Sequence, residues 1–205
     1  LEALQSGVSG SKNITRFDTL AASINAREEG VFCELADDTG IQAKLLIGAD
    51  GRNSLARNAA AIGIREWSYP QVAMVLAFSH TRGHEFTSTE FHTPTGPFTM
   101  VPLPGNRSSL VWALDPREVE NMRGKADGDL AIELEEKMHS ILGKITPDTP
   151  RQFYPLSGQT PSAFAASRIM LVGEAAHVFP PIGAQGLNLG LRDVSEALKS
   201  ALESG

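Results

Sequence analysis

Arg168-Ile-Met-Leu-Val-Gly173-Glu174-Ala-Ala-His177 is followed at once by Pro180-Pro181-Ile-Gly183-Ala-Gln-Gly186-Leu-Asn188, and these two runs decide the fold class. The apolar residues 169–172 predict a buried strand that ends at a glycine-acid turn. Two prolines stiffen the next loop, and glycines surround the start of a helix predicted over 186–203. A strand that leads through such a turn towards a helix N-terminus is typical of a nucleotide-binding α/β unit.

A second strand-turn-helix pattern lies upstream, in Leu46-Ile-Gly48-Ala49-Asp50-Gly51-Arg52-Asn53-Ser54. Residues 45–49 predict a strand buried on both faces, and Ser54 predicts the N-cap of a short helix over 55–62. Ligands of open α/β sheets bind at the carboxyl ends of strands, where Asp50 would accept hydrogen bonds from hydroxyl groups. Gly51 permits a positive φ and a close approach of the backbone. The alternative is that Asp50 only caps the helix, because short Gly/Asp turns are common connections.

The segment 66–158 has a different pattern from the rest of the chain. Alternating apolar runs predict an antiparallel sheet, an amphipathic helix is predicted over 127–142, and a further strand over 152–156; the four runs of the sheet are 72–78, 85–92, 98–103 and 108–114. In the remaining segments, 1–65 and 159–205, we expect a helix at 1–9, a strand at 14–17 and a hairpin of 31–36 with 41–49. The fold class is therefore mixed α/β, with the antiparallel sheet inserted into a partial nucleotide-binding domain.

Composition excludes several classes of function. The chain has 18 Lys plus Arg and 24 Asp plus Glu, a net charge of −6, and no basic run, so nucleic acid is not an expected partner. The single cysteine, Cys33, cannot form an internal disulfide, which favours a reducing compartment such as the cytoplasm. The scattered His80, His84 and His92 lack the spacing of metal ligands, so no metal site is expected.

The glycine and proline motifs resemble those of the single-component FAD-dependent aromatic hydroxylases, of which para-hydroxybenzoate hydroxylase is the archetype. Within that family the chain is most similar to the ubiquinone-biosynthesis hydroxylases. The resemblance extends over nearly the whole chain and includes Trp67-Ser-Tyr69, Gly96-Pro97, Leu110-Val-Trp112 and Tyr154-Pro155-Leu156. It implies a partial FAD-binding Rossmann-like domain, 1–65 and 159–205, and an inserted substrate-binding domain, 66–158.

The resemblance also implies roles for individual residues. Asp50 and Gly51 match a motif that serves both FAD and NAD(P)H, and Gly173 with Glu174 matches the turn whose acid binds the ribityl chain of FAD. Many members have Asp where this chain has Glu174, so that contact would be adjusted or mediated by water. No side chain is assigned as catalytic, because the flavin carries the chemistry. The loop beside the flavin ring and the substrate supplies the remaining implied contacts: Pro181, Gly183, Gly186, Leu187 and Asn188.

One motif of the family is absent from these 205 residues. Members begin with a strand and a G-x-G-x-x-G turn that holds the FAD pyrophosphate, and the glycines between 183 and 190 have the wrong spacing for it. We therefore expect the chain to be part of a longer enzyme. We also expect this part alone to be inactive, and to bind FAD too weakly to retain it.

The implied reaction is the hydroxylation of a phenolic ring with NAD(P)H, FAD and O2. A polyprenyl phenol of ubiquinone biosynthesis is the first expected substrate, and peripheral association with the inner membrane, or with other proteins of that pathway, would accompany it. The alternatives are a small soluble aromatic such as a hydroxybenzoate, and a non-catalytic substrate-binding module. We expect the ring to lie against the antiparallel sheet, with candidate wall residues Phe78, Phe91, Phe98 and Met100.

Overall fold

The structure is a computed structural model that describes residues 2–181 and 185–203. It confirms the mixed α/β fold class, with antiparallel sheets and a small parallel pair. The helices are α1 (Glu2–Gly10), α2 (Leu55–Ala59), α3 (Val119–Gly124), α4 (Asp127–Lys137) and α5 (Gly186–Glu203), with 3-10 turns at Pro116–Glu118 and Gly173–Ala175. The strands are β1 (Ala21–Arg27), β2 (Gly30–Leu35), β3 (Gly40–Ala43), β4 (Leu46–Gly48), β5 (Ile64–His80), β6 (Thr89–Thr93), β7 (Gly96–Leu103), β8 (Arg107–Leu114), β9 (Ile145–Pro147), β10 (Gln152–Pro161), β11 (Ala165–Ala166) and β12 (Ile169–Leu171).

A six-stranded antiparallel sheet occupies the middle of the chain, in the order β10-β5-β8-β7-β6, with β9 also paired to β5. Alternation along β5 sends Met74, Leu76 and Phe78 to one face, where α4 covers them. On α4, Leu130 and Leu134 are fully buried in the same cluster. The sheet and its helix thus form the larger hydrophobic core, and the opposite face of the sheet carries smaller side chains.

Two small sheets flank the large one. β1, β2 and β3 form an antiparallel sheet, and β4 pairs in parallel with β12, which also pairs with β11. Between these sheets α2 packs Ala56 and Ala60 against Ile169 and Leu171. This second core contains the strands and turns of both motifs together with α2, and it positions the candidate site.

Several local predictions are confirmed and others are wrong. The helix at the start of the chain, the last helix and three of the four strands of the inserted segment are present, whereas the strand predicted at 85–92 begins only at Thr89, because Glu85 and Phe86 adopt positive φ values. The hairpin is present as β2 with β3, but β3 ends at Ala43, and residues 46–48 pair with β12 instead. The strand predicted at 14–17 is absent, because this segment pairs with no other strand, and Ile14 and Phe17 are about half exposed. α4 ends at Lys137 rather than 142, because His139 and Ser140 adopt positive φ values of 52° and 51°.

The expectation of a strand buried on both faces at 45–49 is wrong. β4 covers only Leu46–Gly48 and lies at the edge of its three-stranded sheet, which leaves Ile47 41% exposed. The apolar stripe of α5 is exposed as well. Among the described residues nothing buries Leu187, Leu191, Val194 or Leu198, whose exposed fractions run from 41% to 76%.

Candidate functional site

The two motifs of the sequence meet at one edge of the small parallel sheet. β4 and β12 run in register, with Ile47 opposite Met170 and Gly48 opposite Leu171. The turns that follow them, 49–51 and 172–174, therefore leave the sheet on the same side, at the carboxyl ends of the strands. The family resemblance had implied that both turns contact FAD, and their juxtaposition forms the centre of the candidate site.

Asp50 caps the helix that follows it. One carboxylate oxygen accepts a hydrogen bond from Ser54 Oγ at 2.6 Å, and the other accepts one from the backbone N–H of Ala56 at 3.1 Å. Ser54 in turn accepts from the backbone N–H of Arg57 at 2.9 Å, as predicted for an N-cap. Partial burial raises the pKa of Asp50, but the hydrogen bonds from Ser54 and Ala56 outweigh it and hold the pKa below its ordinary value. The carboxylate is therefore an ordered anion.

Glu174 carries the second carboxylate of the candidate site, and no described residue binds it. It is exposed, and it makes no hydrogen bond or ion pair with any residue in the described ranges. It lies in the 3-10 turn Gly173–Ala175, just after Gly173 at φ +59°. A Cβ built on Gly173 or on Gly51 would meet no heavy atom within 4 Å, so space is open in front of both turns. A free carboxylate beside open space fits a ligand rich in hydroxyl groups, such as the ribityl chain of FAD.

His177 and Asp193 fix the turn that carries Glu174. The Nε2 of His177 lies 2.7 Å from Asp193 Oδ2, and the same oxygen accepts a hydrogen bond from the backbone N–H of Gly173 at 2.9 Å. Both side chains are largely buried. Helix α5 is also close to the turn here, since a Cβ on Gly190 would lie 3.5 Å from the Cα of Gly173. The sequence analysis did not identify Asp193, which is distant from His177 in the chain.

Arg57 is a second residue that the sequence reasoning missed. It is 5% exposed, and its guanidinium donates to the backbone oxygens of Ala175 and Arg52, both at 2.9 Å. It also donates to the buried side-chain oxygen of Gln159 at 2.9 Å, in the amide orientation that satisfies Gln159. Arg57 thereby joins α2 to both turns and to β10. The local sequence shows only an arginine in the third position of a short helix, and it does not show what that arginine contacts.

A cleft of about 270 Å³ lies between the six-stranded sheet and the Pro180-Pro181 loop. Its floor is the face of the sheet opposite α4, with Ala73, Val75 and Val111, and Phe179, Pro180 and Pro181 form the facing wall. The predicted wall residues are therefore wrong. Phe78, Phe98 and Met100 are at most 2% exposed and lie in the core beneath α4, with Phe91 packed against them, because strand alternation directs them to the other face.

The other site residues that were predicted from the sequence are distributed as follows. Pro181 lines the cleft, whereas Gly186, Leu187 and Asn188 form the first turn of α5. Leu187 is 76% exposed, and Gly183 lies outside the described residues. The structure thus brings Asp50, Gly51, Gly173 and Glu174 to one edge, with Pro181 nearby in the loop beyond His177.

The described residues contain neither a metal site nor a membrane-spanning helix. No cluster of three or more His, Cys, Asp or Glu side chains is arranged to hold a metal there. His80 and His84 instead bond to backbone oxygens, of Arg82 at 2.7 Å and of Leu103 at 3.0 Å. Across the same part of the chain, every helix is too short or too polar to cross a bilayer.

Comparison with known proteins gives concordant results. Residues 11–202 match the family described as FAD binding domain. The chain is 41% identical over 167 residues to ubiquinone hydroxylase UbiL of Rhodospirillum rubrum, covering 82% of this chain and 39% of that protein. It is 36% identical over 161 residues to 3-demethoxyubiquinol 3-hydroxylase of Escherichia coli, covering 78% and 41%. The chain thus spans about two fifths of the length of these relatives.

A solved structure shows the same fold at low sequence identity. It is that of PqsL, a probable FAD-dependent monooxygenase from Pseudomonas aeruginosa, with a TM-score of 0.80 and 20% identity. The superposition covers 98% of this chain and 59% of the other.

Proposed function

We propose, from the premise that this chain belongs to the FAD binding domain family, that its protein is an NAD(P)H- and O2-dependent monooxygenase that hydroxylates a phenolic ring. The proposed substrate class is the polyprenyl phenols of ubiquinone biosynthesis. The similarity to two ubiquinone-pathway hydroxylases, at 41% and 36% identity, supports that class. Because the chain spans only part of those relatives, activity, substrate and membrane association are proposals about the whole protein.

One observation carries the proposal. The unused carboxylate of Glu174 and the apolar cleft are joined by a single short loop, 175–181, which passes through His177 and ends at Pro181. In the proposal, a ligand bound through hydroxyl groups at Glu174 extends along this loop to the cleft. That is the arrangement needed to hold a cofactor and a ring side by side.

FAD, when bound, supplies the redox chemistry that takes electrons from NAD(P)H and transfers an oxygen atom to the ring. The residues of this chain would bind the cofactor, orient the ring substrate and exclude water from the site. Glu174 accepts hydrogen bonds from the ribityl hydroxyls, and Asp193 holds the turn in which Glu174 lies. The floor of Ala73, Val75 and Val111 holds a flat ring against the Pro180-Pro181 loop and keeps water from the reacting face.

The size of the cleft favours a second candidate, a small soluble aromatic substrate. A volume of about 270 Å³ is at the small end for ligand pockets and is suited to one aromatic ring. A polyprenyl tail would have to leave along the exposed Tyr154 and Phe179, which are 50% and 48% exposed. The two candidates differ in where the rest of the substrate lies and agree on the ring.

The test uses the protein over its full length, purified with FAD. We expect NAD(P)H oxidation to be stimulated more by 2-geranylphenol than by 4-hydroxybenzoate, with a product that carries one added oxygen atom by mass spectrometry. The reverse preference would establish the small-aromatic candidate. A protein that binds no FAD would rule out both.

The role of Glu174 is tested separately. Glu174→Ala should raise the Kd for FAD, whereas Glu174→Asp, the residue found in many relatives of the resembled family, should retain most of the affinity. Because Glu174 is exposed and unpaired among the described residues, its removal should leave the melting temperature almost unchanged. Unchanged FAD affinity in Glu174→Ala would exclude this contact.

A further inference from the structure

We propose that Arg52 is a specificity-determining residue, which pairs with an oxyanion carried by the aromatic ring in the cleft. The oxyanion is a phenolate or a carboxylate. The inference rests on the proposed function, since it assigns the chemical class of substrate to the same cleft.

Arg52 differs in charge from the other residues that line the cleft. The floor and the facing wall are apolar or aromatic, and the polar groups are Arg52, Ser157 and the hydroxyl of Tyr154. Among the described lining residues Arg52 is the only charged one. A single cation beside an apolar surface of this kind selects a ligand with one anionic group and one ring.

The guanidinium of Arg52 uses one nitrogen in a hydrogen bond to the described residues, which leaves other N–H donors for a ligand. Its Nη2 donates to Ser157 Oγ at 2.5 Å, and no carboxylate lies within salt-bridge distance among the residues the structure describes. Guanidinium has five N–H donors, and the partner used here is neutral. A partly buried cation without a counter-ion is costly, and a ring oxyanion would supply both the charge and a two-point hydrogen bond.

Arg57 shows that the fold can satisfy an arginine when the role is structural. It also lacks a carboxylate partner among the described residues, yet its donors reach two backbone oxygens and the amide of Gln159. One of those oxygens belongs to Arg52, so the backbone of Arg52 is held while its side chain extends to the cleft. Of these two arginines, five residues apart, Arg57 thus stabilises the fold and Arg52 is available to bind a ligand.

The partner of Arg52 lies at an irregularity of the sheet. The register between β10 and β5 shifts between Pro155 and Ser157. Bulges of this kind are common next to binding sites because they redirect a side chain. Here the irregular segment places Ser157 where it orients the guanidinium, and Tyr154, Pro155 and Leu156 line the same cleft.

The experiment measures ring binding to the full-length protein loaded with FAD, through the change in flavin absorbance. The probes are 4-hydroxybenzoate, its methyl ester, 4-methoxybenzoate and 2-geranylphenol. The variants are Arg52→Gln, which removes the charge, and Arg52→Lys, which keeps the charge but loses the paired N–H donors that bind an oxyanion at two points. The matched control is Arg117→Gln, an arginine in a 3-10 turn that is 88% exposed and is not among the residues lining the cleft.

We expect Arg52→Gln to weaken binding of the best wild-type probe by about 10- to 100-fold, the loss typical of a charge-assisted hydrogen-bonded pair. Arg52→Lys should show a smaller loss, and Arg117→Gln none. The Kd for FAD and the KM for NAD(P)H should not change. If esterifying the carboxylate abolishes the effect of Arg52→Gln, the oxyanion is a carboxylate; if methylating the phenol abolishes it, the oxyanion is a phenolate.

Three results would overturn the inference: equal ring affinity in wild type and Arg52→Gln, a rise confined to the KM for NAD(P)H, or an FAD-loaded wild type that binds none of the probes. Should Arg52→Gln fail to fold, Arg52→Lys tests the two-point hydrogen bond instead, and a Kd for the best probe equal to that of wild type would then overturn the inference. A wild-type protein without FAD would instead reject the proposed function, so the two failures are distinct.

Discussion

The Nε2 of His177 lies 2.7 Å from the Oδ2 of Asp193, and that oxygen also accepts the backbone N–H of Gly173. One carboxylate on α5 therefore holds both ends of the turn in which Glu174 lies. Arg57 holds the far side of the turn by donating to the backbone oxygen of Ala175, whereas the Glu174 side chain is bonded to nothing that the structure describes. The position of the proposed cofactor contact thus depends on Asp193.

Asp193→Ala is expected to weaken FAD binding by about 10-fold or more, because it removes hydrogen bonds to a charged group worth about 1.5–3 kcal/mol. His177→Gln should lose less than His177→Ala, since a Gln amide can still donate to Asp193. FAD affinity is measured by flavin fluorescence. The control is Glu196→Ala, an exposed acid one turn further along α5 that pairs with Lys199. Equal FAD affinity in Asp193→Ala and wild type would remove Asp193 from the site.

Gly173→Ala is expected to lower the free energy of unfolding by about 1–2 kcal/mol. Gly173 adopts φ +59°, a conformation that an L-residue reaches only with strain, although a Cβ would meet no neighbour there. Gly7→Ala is the matched control, since Gly7 lies in the exposed helix α1 with no neighbour to its Cβ either. That variant should be neutral or slightly stabilising. Urea unfolding compares the two, and equal effects would show that the backbone at Gly173 is unstrained.

Arg57→Met is expected to destabilise the protein by about 3 kcal/mol or more. The substitution leaves the buried backbone oxygen of Ala175 and the buried amide of Gln159 without a donor, and unpaired buried groups are expensive. Thermal and urea unfolding provide the measurement, with Arg117→Met as an exposed control. A loss no larger than that of the control would mean that α2 is held by apolar packing alone.

Local features of this fold could be predicted because their causes are local. Ser54 caps a helix through its own hydroxyl, and the strand-turn-helix at Gly173 follows from an apolar run that ends at a glycine. The resemblance to the aromatic hydroxylases added the pairing of the two motifs, which the parallel register of β4 and β12 confirms in geometry.

Features that depend on distant partners could not be predicted. Asp193 and Arg57 look like ordinary helix residues in the sequence, and only the fold shows that they contact Gly173 and Ala175. Phe78 and Phe98 were candidate wall residues because they lie on the sheet expected to contact the ring, but alternation alone does not say which face of that sheet α4 covers. The domain limits and the contacts of the cofactor residues remain predictions.

Filling the cleft should separate ring binding from cofactor binding. Val75→Phe places a larger side chain on the floor beside Val111 and Ala73, so it should raise the KM for the ring substrate about 10-fold or more by occupying its space. The Kd for FAD should change little, because Glu174 is not among the residues that line the cleft. The control is Ile132→Phe, which also introduces a phenylalanine but at a position on α4 that is 56% exposed. A parallel loss of FAD would mean that the cleft holds the cofactor rather than the ring.

The ionisation of Asp50 should make stability depend on pH at the acid end. Its pKa is lowered because the hydrogen bonds from Ser54 and Ala56 outweigh the effect of burial, so the unfolded chain binds a proton more readily than the native one. The stabilisation from this group is therefore complete above the ordinary value of 3.8 and is lost as the pH falls through the lower native pKa.

Asp50→Asn tests this pH dependence, because it keeps the shape of the side chain but removes its charge. At pH 7 the variant should be about 1 kcal/mol less stable in urea unfolding, the difference between a charged and a neutral hydrogen-bond acceptor, and the difference from wild type should shrink as the pH falls below 3.8. A difference that stays constant down to the acid limit would show that the charge of Asp50 contributes nothing to the cap.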